Sequence, residues 1–176
     1  DVILRGYDEQ IRDRLLQISL TKGIDFKFHA AFQSVEKAAD GPLIVHMTGC
    51  DAIEADLLMF AVGRQPNTAG LGLESAGADI DAKGAVVVDQ DNKSSCDSLY
   101  AVGDVTNRVQ LTPVAIREGQ AFADTMFGNK PTRVDYSCIP SAVFSHPPLA
   151  GVGMTEGEAR NKLGSVKTYT SDFRAM

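Results

Sequence analysis

The sequence has few of the residues from which metal sites and disulfides are built, and it has no long apolar run. Its 176 residues include only three cysteines, three histidines and no tryptophan. The cysteines are far apart and form no C-x-x-C pair, so no metal site is predicted. No apolar run reaches the length of a transmembrane helix, so we expect no membrane association. A net charge of −6 argues against a nucleic-acid partner.

The composition is that of an ordinary globular protein. Hydrophobic residues make up 44% of the chain and charged residues 23%, which argues against disorder. A chain of this length holds one or two domains. Because cysteines are sparse and odd in number, a reducing compartment is favoured, and we predict a cytoplasmic location.

The first third of the chain mixes helical and strand patterns. Asp8 is placed to cap a helix whose apolar residues recur at helical spacing, and Gly23 follows that helix. Apolar residues then alternate over residues 24–28, which predicts a strand. Two further alternating runs flank an Asp-Gly-Pro turn at residues 40–42 and predict a hairpin. The continuous apolar run at residues 56–62 predicts a buried strand.

The middle of the chain is bounded by two linker-like stretches, residues 63–68 and residues 131–137. Between them, short strands are predicted at residues 85–88 and 99–102. A helix follows, with Thr112 able to cap it. The final part of the chain predicts more short strands and one helix. In that helix Thr155 and Glu158, three residues apart, form a capping-box pattern. The strands are expected at residues 141–145, 149–153 and 166–170.

Asp104 lies between a predicted strand and a predicted helix. Gly103 permits a sharp turn, and Asp104 follows at the strand end, where open α/β sheets bind ligands. Pro113 suits the first turn of the next helix, whose free amides would face the same ligand. A helix cap or a solvated turn aspartate is the alternative interpretation of Asp104.

Two segments here resemble a known family. The sequences Tyr100-Ala-Val-Gly-Asp104 and Leu111-Thr-Pro113 resemble the second flavin-binding segment of the pyridine nucleotide–disulfide oxidoreductases. The glutathione reductase branch of that family is the most similar, on the segments Val105-Thr-Asn107, Leu111-Thr-Pro-Val-Ala115 and Val143-Phe-Ser-His-Pro-Pro148. The resemblance implies that Asp104 accepts a hydrogen bond from a ribityl hydroxyl of FAD. It also implies that Leu111, Thr112 and Pro113 face the pyrimidine side of the flavin, where the helix dipole stabilises its reduced form.

The resemblance also implies contacts with NADPH. Arg5 corresponds to an arginine that binds the 2′-phosphate, since a guanidinium matches phosphate bidentately. Gly63 and Arg64 correspond to a loop lining the NADPH site, and Val143 to a strand near the nicotinamide. The alternatives are a surface arginine for Arg5, an ordinary turn for residues 63–64 and interface core for Val143.

Gln120 departs from the family pattern, and His146 matches a family motif only in part. Gln120 lies where many glutathione reductases carry an arginine that binds a substrate carboxylate, so that contact with oxidised glutathione is in doubt. His146 precedes a proline, as the catalytic histidine of the family does, but its sequence context differs. We therefore assign His146 no acid–base role and name no catalytic residue.

The resemblance implies an α/β fold with partial FAD/NAD(P)-binding ββα layers, followed by the start of an α+β dimerisation domain. We predict the later part of an NADPH-binding domain at residues 1–67, a central domain with the second FAD segment at 68–137, and the beginning of a dimer-interface domain at 138–176. The implied function is part of a homodimeric enzyme that passes hydride from NADPH to FAD, then to a redox disulfide, then to oxidised glutathione.

Several alternatives remain at this point. The sequence contains no C-x-x-x-x-C redox pair, so we expect the 176 residues alone to be inactive. Trypanothione reductase, mercuric reductase and dihydrolipoamide dehydrogenase are related alternatives. Arg5 argues against the last, which normally uses NAD. A non-catalytic nucleotide-binding or dimerisation module is the alternative from a different functional class.

Overall fold

The computed structural model describes residues 2–39 and 41–172, and these fall into two compact units. The first unit combines Asp1–Phe60 with Cys138–Met176, and the second is Ala61–Ser137. The first unit contains helices α1 (Glu9–Thr21) and α3 (Glu156–Leu163) and strands β1 (Phe32–Lys37), β2 (Leu43–Met47), β3 (Ile53–Ala55), β4 (Ser141–Val143) and β5 (Leu149–Gly151). The second contains a 3-10 helix (Gly103–Thr106) and helix α2 (Thr112–Met126).

Helix α1 is confirmed where the apolar spacing predicts it. It buries Leu15 and Ser19, and the Ser19 hydroxyl donates to the Leu15 carbonyl at 2.8 Å. Asp8 occupies the N-cap position, but its side chain does not cap α1. Instead, its carboxylate accepts a hydrogen bond of 2.6 Å from the Glu156 N–H at the start of α3. The prediction that Asp8 caps α1 is therefore wrong, and its carboxylate binds the first N–H group of α3 instead.

The predicted hairpin is confirmed as part of a three-stranded antiparallel sheet. The strand order is β1-β2-β3, with Val35 opposite Val45 and Val45 opposite Ile53. Val45 is the buried residue of the central strand. Asp40, in the predicted turn, lies outside the described residues.

Several predicted strands are wrong. Residues 24–28, 56–62 and 166–170 are not strands in the described structure. Leu57 and Val62 are 83% and 90% exposed, although their run of apolar residues predicts burial. An apolar run becomes a buried strand only when neighbouring strands bind its backbone groups and cover its side chains. In the described part of this chain no strand pairs with residues 56–62, although the Phe60 ring contacts that of Phe32.

The second unit is held together mainly by turns. The predicted strands at residues 85–88 and 99–102 are reduced to the isolated bridges Ile80–Val86 and Lys93–Tyr100. Asp81 replaces strand pairing by accepting hydrogen bonds from the N–H groups of Lys83 and Ala85, each at 2.8 Å. Asp turns of this kind satisfy backbone donors without a sheet. Small residues fill the core beneath these turns: Ala78, Ala85, Val86, Ala101, Val114 and Ala121.

Strands β4 and β5 and helix α3 follow the predictions. Strands β4 and β5 pair antiparallel, with Val143 opposite Leu149. Helix α3 begins with the predicted capping box, in which Thr155 and Glu158 satisfy each other's backbone N–H groups. Across residues 2–39 and 41–172, none of the helices combines the length and the apolar character that a membrane crossing requires. The same residues contain no group of three potential metal ligands.

Candidate cofactor site

Asp104 lies in a tight turn that leads into α2. The backbone is extended at Val102, turns at Gly103 with a φ of +74°, and continues as the short 3-10 helix. Asn107 ends that helix in the left-handed region. The carboxylate of Asp104 is about half exposed, at 45%. The turn therefore offers Asp104 to solvent as an acceptor while its neighbours, Gly103 and Thr106, are buried.

The turn packs closely against the beginning of α2. A Cβ atom built on Gly103 would lie 3.1 Å from the Cβ of Ala115, tighter than most such contacts. Glycine is therefore required here for two reasons, the positive φ and the lack of space. This contact brings the residue before Asp104 against the first turn of α2.

The N-terminus of α2 is exposed, and Leu111, not Thr112, is its N-cap residue. The prediction that Thr112 caps the helix is wrong, because Thr112 is already helical and no side chain caps this end. The Val114 and Ala115 N–H groups both donate to the Leu111 carbonyl at 3.0 Å. The Thr112 N–H has no acceptor in the described part of the chain, and Pro113 has no N–H. An anionic or acceptor-rich ligand fits an exposed helix N-terminus of this kind.

Arg64 is brought to Asp104 by the fold of the second unit. Its guanidinium Nη2 lies 3.5 Å from the Asp104 Oδ2 atom. The neighbouring Gly63 has a φ of +134° and is exposed. The sequence places both residues at a nucleotide site but does not predict this contact with Asp104.

A buried carboxyl group is hydrogen-bonded to the Gly103 turn, and sequence reasoning missed it. Glu118, on α2, is 1% exposed. Its Oε2 atom accepts a hydrogen bond of 2.5 Å from the Gly103 N–H, and its Oε1 atom accepts one of 2.6 Å from the Tyr136 hydroxyl. Burial and the hydrogen bond to Glu118 raise the pKa of Tyr136 above its usual value. The signal available in the sequence was the spacing of Glu118 from buried Val114 and Ala121 on the same helix face.

Gln120 faces a neighbouring carboxylate on the surface of α2. Its amide donates to Asp124 at 2.7 Å, and Lys130 lies 3.4 Å from the same carboxylate. The hydrogen bond from Gln120, together with Lys130, lowers the pKa of Asp124. The Gln120 side chain is therefore exposed but already engaged.

The other predicted residues lie in the first unit. Arg5 is exposed in the turn before α1, and Val143 ends β4. The backbone carbonyl of His146 accepts a hydrogen bond from the Lys22 ammonium at 3.3 Å. The structure thus brings Asp104, Arg64 and the start of α2 into one unit, whereas Arg5 and Val143 belong to the other.

Comparison with protein families finds two matches along the chain. Residues 1–119 match the family described as pyridine nucleotide-disulphide oxidoreductase. Residues 139–176 match the dimerisation domain of the same family.

Similar proteins with assigned names include two glutathione reductases and a trypanothione reductase. Glutathione reductase of Burkholderia cepacia is 46% identical over 99% of this chain and 38% of its own length. The chloroplastic/mitochondrial glutathione reductase of Pisum sativum is 45% identical over 99% of this chain and 32% of its own. Trypanothione reductase of Trypanosoma congolense is 39% identical, with coverages of 99% and 35%. The chain thus spans roughly a third of the length of these relatives.

A solved flavoprotein disulfide reductase is also similar to this chain. The HOCl-induced flavoprotein disulfide reductase RclA from Escherichia coli superposes with a TM-score of 0.85 at 32% sequence identity. The match covers 92% of this chain and 37% of the solved chain. The predicted α/β class, with nucleotide-binding layers followed by the start of a dimerisation domain, is confirmed.

Proposed function

Because the chain belongs to the pyridine nucleotide–disulphide oxidoreductase family, we propose that it forms part of an FAD-dependent, NADPH-using glutathione-disulfide reductase. Its similarity to two glutathione reductases supports the choice of substrate. Because the chain spans about a third of those relatives, the activity is proposed for the complete polypeptide that carries these residues.

The observation that carries the proposal is the turn at Asp104 packed on the N-terminus of α2. Asp104 offers a half-exposed, acceptor-only carboxylate, which suits a ribityl hydroxyl. Leu111, Thr112 and Pro113 offer an exposed helix N-terminus with an unpaired amide, which suits the electron-rich pyrimidine side of a flavin. Bound there, FAD would supply the hydride-accepting chemistry that links NADPH to a disulfide.

The proposed NADPH contacts rest on four residues. Arg5 is exposed and would bind the 2′-phosphate through its guanidinium. The family pattern implies nucleotide contacts for Gly63 and Arg64 in the second unit and for Val143 in the first. None of these assignments involves proton transfer, so their role is binding and orientation.

The disulfide step is assigned to groups outside this segment. Cys50, Cys96 and Cys138 are free thiols in the described structure, and their spacing provides no C-x-x-x-x-C pair. Residues 1–176 alone should therefore not reduce disulfides. The dimerisation-domain match supports a homodimer, and the sparse cysteines support a cytoplasmic location.

Gln120 is the reason to consider a substrate other than oxidised glutathione. Gln120 carries no charge and is hydrogen-bonded to Asp124, so it is a weak partner for a substrate carboxylate. Trypanothione disulfide is the alternative substrate, since a trypanothione reductase is among the similar proteins.

The proposal is tested on the complete polypeptide, purified and assayed for bound flavin and for NADPH oxidation. We expect bound FAD and NADPH-dependent reduction of oxidised glutathione, with trypanothione disulfide and lipoamide as parallel substrates. Turnover with only one of those two would reassign the substrate within the family. A folded protein with no flavin affinity would contradict the proposal and favour a non-catalytic module.

A further inference from the structure

Glu118 is a buried acidic residue on α2, in an interior that holds small apolar side chains and a few neutral polar ones such as Asn92 and Thr106. It is 1% exposed, and both of its carboxyl oxygens are engaged. A buried carboxyl group is costly unless hydrogen bonds satisfy it, and removing either donor leaves an unsatisfied group. Its presence on α2 therefore has a cause beyond packing, and its two hydrogen-bond donors indicate what that cause is.

The first donor is the backbone N–H of Gly103, which immediately precedes Asp104. Its hydrogen bond to Glu118 is 2.5 Å long. The carbonyl of Gly103 accepts a hydrogen bond from the Thr106 hydroxyl at 2.8 Å, and a Cβ on Gly103 would lie 3.1 Å from the Cβ of Ala115. The turn before Asp104 is thus fixed from three sides, and Glu118 supplies the only one of these contacts that comes from an acidic side chain.

The second donor is the Tyr136 hydroxyl, at 2.6 Å. Arg108 approaches that hydroxyl to 3.4 Å, and its guanidinium also donates to the Asn92 side chain and the Val88 carbonyl. Glu118 therefore lies at the end of a hydrogen-bonded chain. That chain ties the Gly103 turn to two other loops of the second unit.

We propose that Glu118 is a positioning residue for flavin binding, which it supports by fixing the backbone from which Asp104 presents its carboxylate. The inference rests on the proposed FAD site and assigns to it a residue that touches no flavin atom. Glu118 acts through the Gly103 N–H, and the Tyr136 hydroxyl holds the other carboxyl oxygen so that the first hydrogen bond keeps its direction.

The test compares two variants of Glu118 with a control on the same helix. E118D keeps the acid but is one methylene shorter, so it cannot reach both donors. E118Q keeps the reach, since its amide oxygen can accept from Gly103 and its NH₂ can face the tyrosine oxygen. A121G weakens α2 at another buried position without touching Gly103. FAD dissociation constants are measured on the apo form of the complete polypeptide by fluorescence titration, alongside urea unfolding.

We expect E118D to raise the FAD dissociation constant about tenfold or more, and E118Q and A121G to change it less than about threefold, by analogy with single hydrogen-bond deletions. In a D104A background, E118D should have almost no further effect, because both residues then act on one missing contact. An E118D penalty of equal size in both backgrounds would overturn the inference. So would a folded E118Q protein whose FAD affinity falls tenfold. If E118D does not fold, Y136F replaces it, because it removes the donor that holds the second Glu118 oxygen; unchanged FAD affinity in Y136F would then overturn the inference.

The two proposals fail in different ways. A folded wild-type protein without FAD affinity overturns the proposed function and this inference with it. Tight FAD binding that is indifferent to E118D overturns the positioning role alone.

Discussion

The Arg64 guanidinium lies 3.5 Å from the Asp104 carboxylate, joining the loop at the start of the second unit to the turn that precedes α2. The two side chains are 72% and 45% exposed. An ion pair as long and as exposed as this one contributes little to stability. Its consequence is local: it holds a positive charge beside the acceptor that we assign to the flavin.

Replacing Asp104 should weaken flavin binding more than it weakens the fold. We expect D104A to lose about 2 kcal/mol of FAD binding, roughly thirtyfold in affinity, because a charge-assisted hydrogen bond is removed. Fluorescence titration of the apoprotein measures this loss. D97A is the matched control, since Asp97 is an exposed aspartate of the same unit that pairs with Lys93. Equal FAD affinity in D104A and D97A would contradict the assignment.

Replacing Arg5 should alter the choice of nucleotide. In the complete polypeptide, R5Q is expected to raise the KM for NADPH roughly thirtyfold while leaving the KM for NADH nearly unchanged, since only NADPH carries the 2′-phosphate that a guanidinium binds. R14Q, an exposed arginine on α1, serves as the control. A wild-type enzyme that prefers NADH would remove the role given to Arg5.

The Gly103 turn makes a stability prediction that needs no cofactor. G103A should destabilise the protein by about 1–3 kcal/mol, because alanine is strained at positive φ and its Cβ would press on Ala115. G119A should be neutral or stabilising by up to about 1 kcal/mol, because that glycine is inside α2 with open space around it. Urea unfolding of both variants measures the contrast. A G103A protein as stable as G119A would mean that the turn relaxes freely.

Elements whose signals are local could be predicted from the sequence. The α3 capping box, the helix starting near Pro113 and the β1–β2 hairpin each depend on residues a few positions apart. The run at residues 56–62 could not be predicted correctly, because its burial depends on neighbouring strands that are absent from the described chain. Apolar character alone does not reveal whether a partner strand is present.

The candidate site also contains residues that could be predicted from local sequence and residues that could not. Asp104 and the start of α2 follow from a strand–turn–helix pattern, and the fold brings them together through Gly103 and Ala115. Glu118 was missed because an acid in an amphipathic helix is usually solvated. Its burial depends on two donors, Gly103 and Tyr136, that lie 15 and 18 residues away in sequence. Thr112 was predicted to be the N-cap of α2 but is its first helical residue, because the local sequence does not fix a helix end to a single residue.

The raised pKa of Tyr136 predicts a specific loss of stability in alkali. Burial and the hydrogen bond to Glu118 favour the neutral phenol in the folded state. The stabilisation is therefore complete below the unfolded pKa of about 10 and is lost as pH rises through the higher folded value. At neutral pH, Y136F should cost about 1 kcal/mol, since it removes the hydrogen bond to Glu118. Above pH 10 the difference between wild type and Y136F should shrink.

Urea unfolding between pH 8 and about 11 provides the measurement, read as a difference between variants so that other titrating groups cancel. Y169F is the control, because Tyr169 is 82% exposed and lies in the other unit. The difference between Y169F and wild type gives the baseline against which the Y136F difference is read. If the Y136F difference stayed constant up to pH 11, the phenol would ionise equally well in both states. The hydrogen bond that holds Glu118 toward Gly103 would then not be formed in solution.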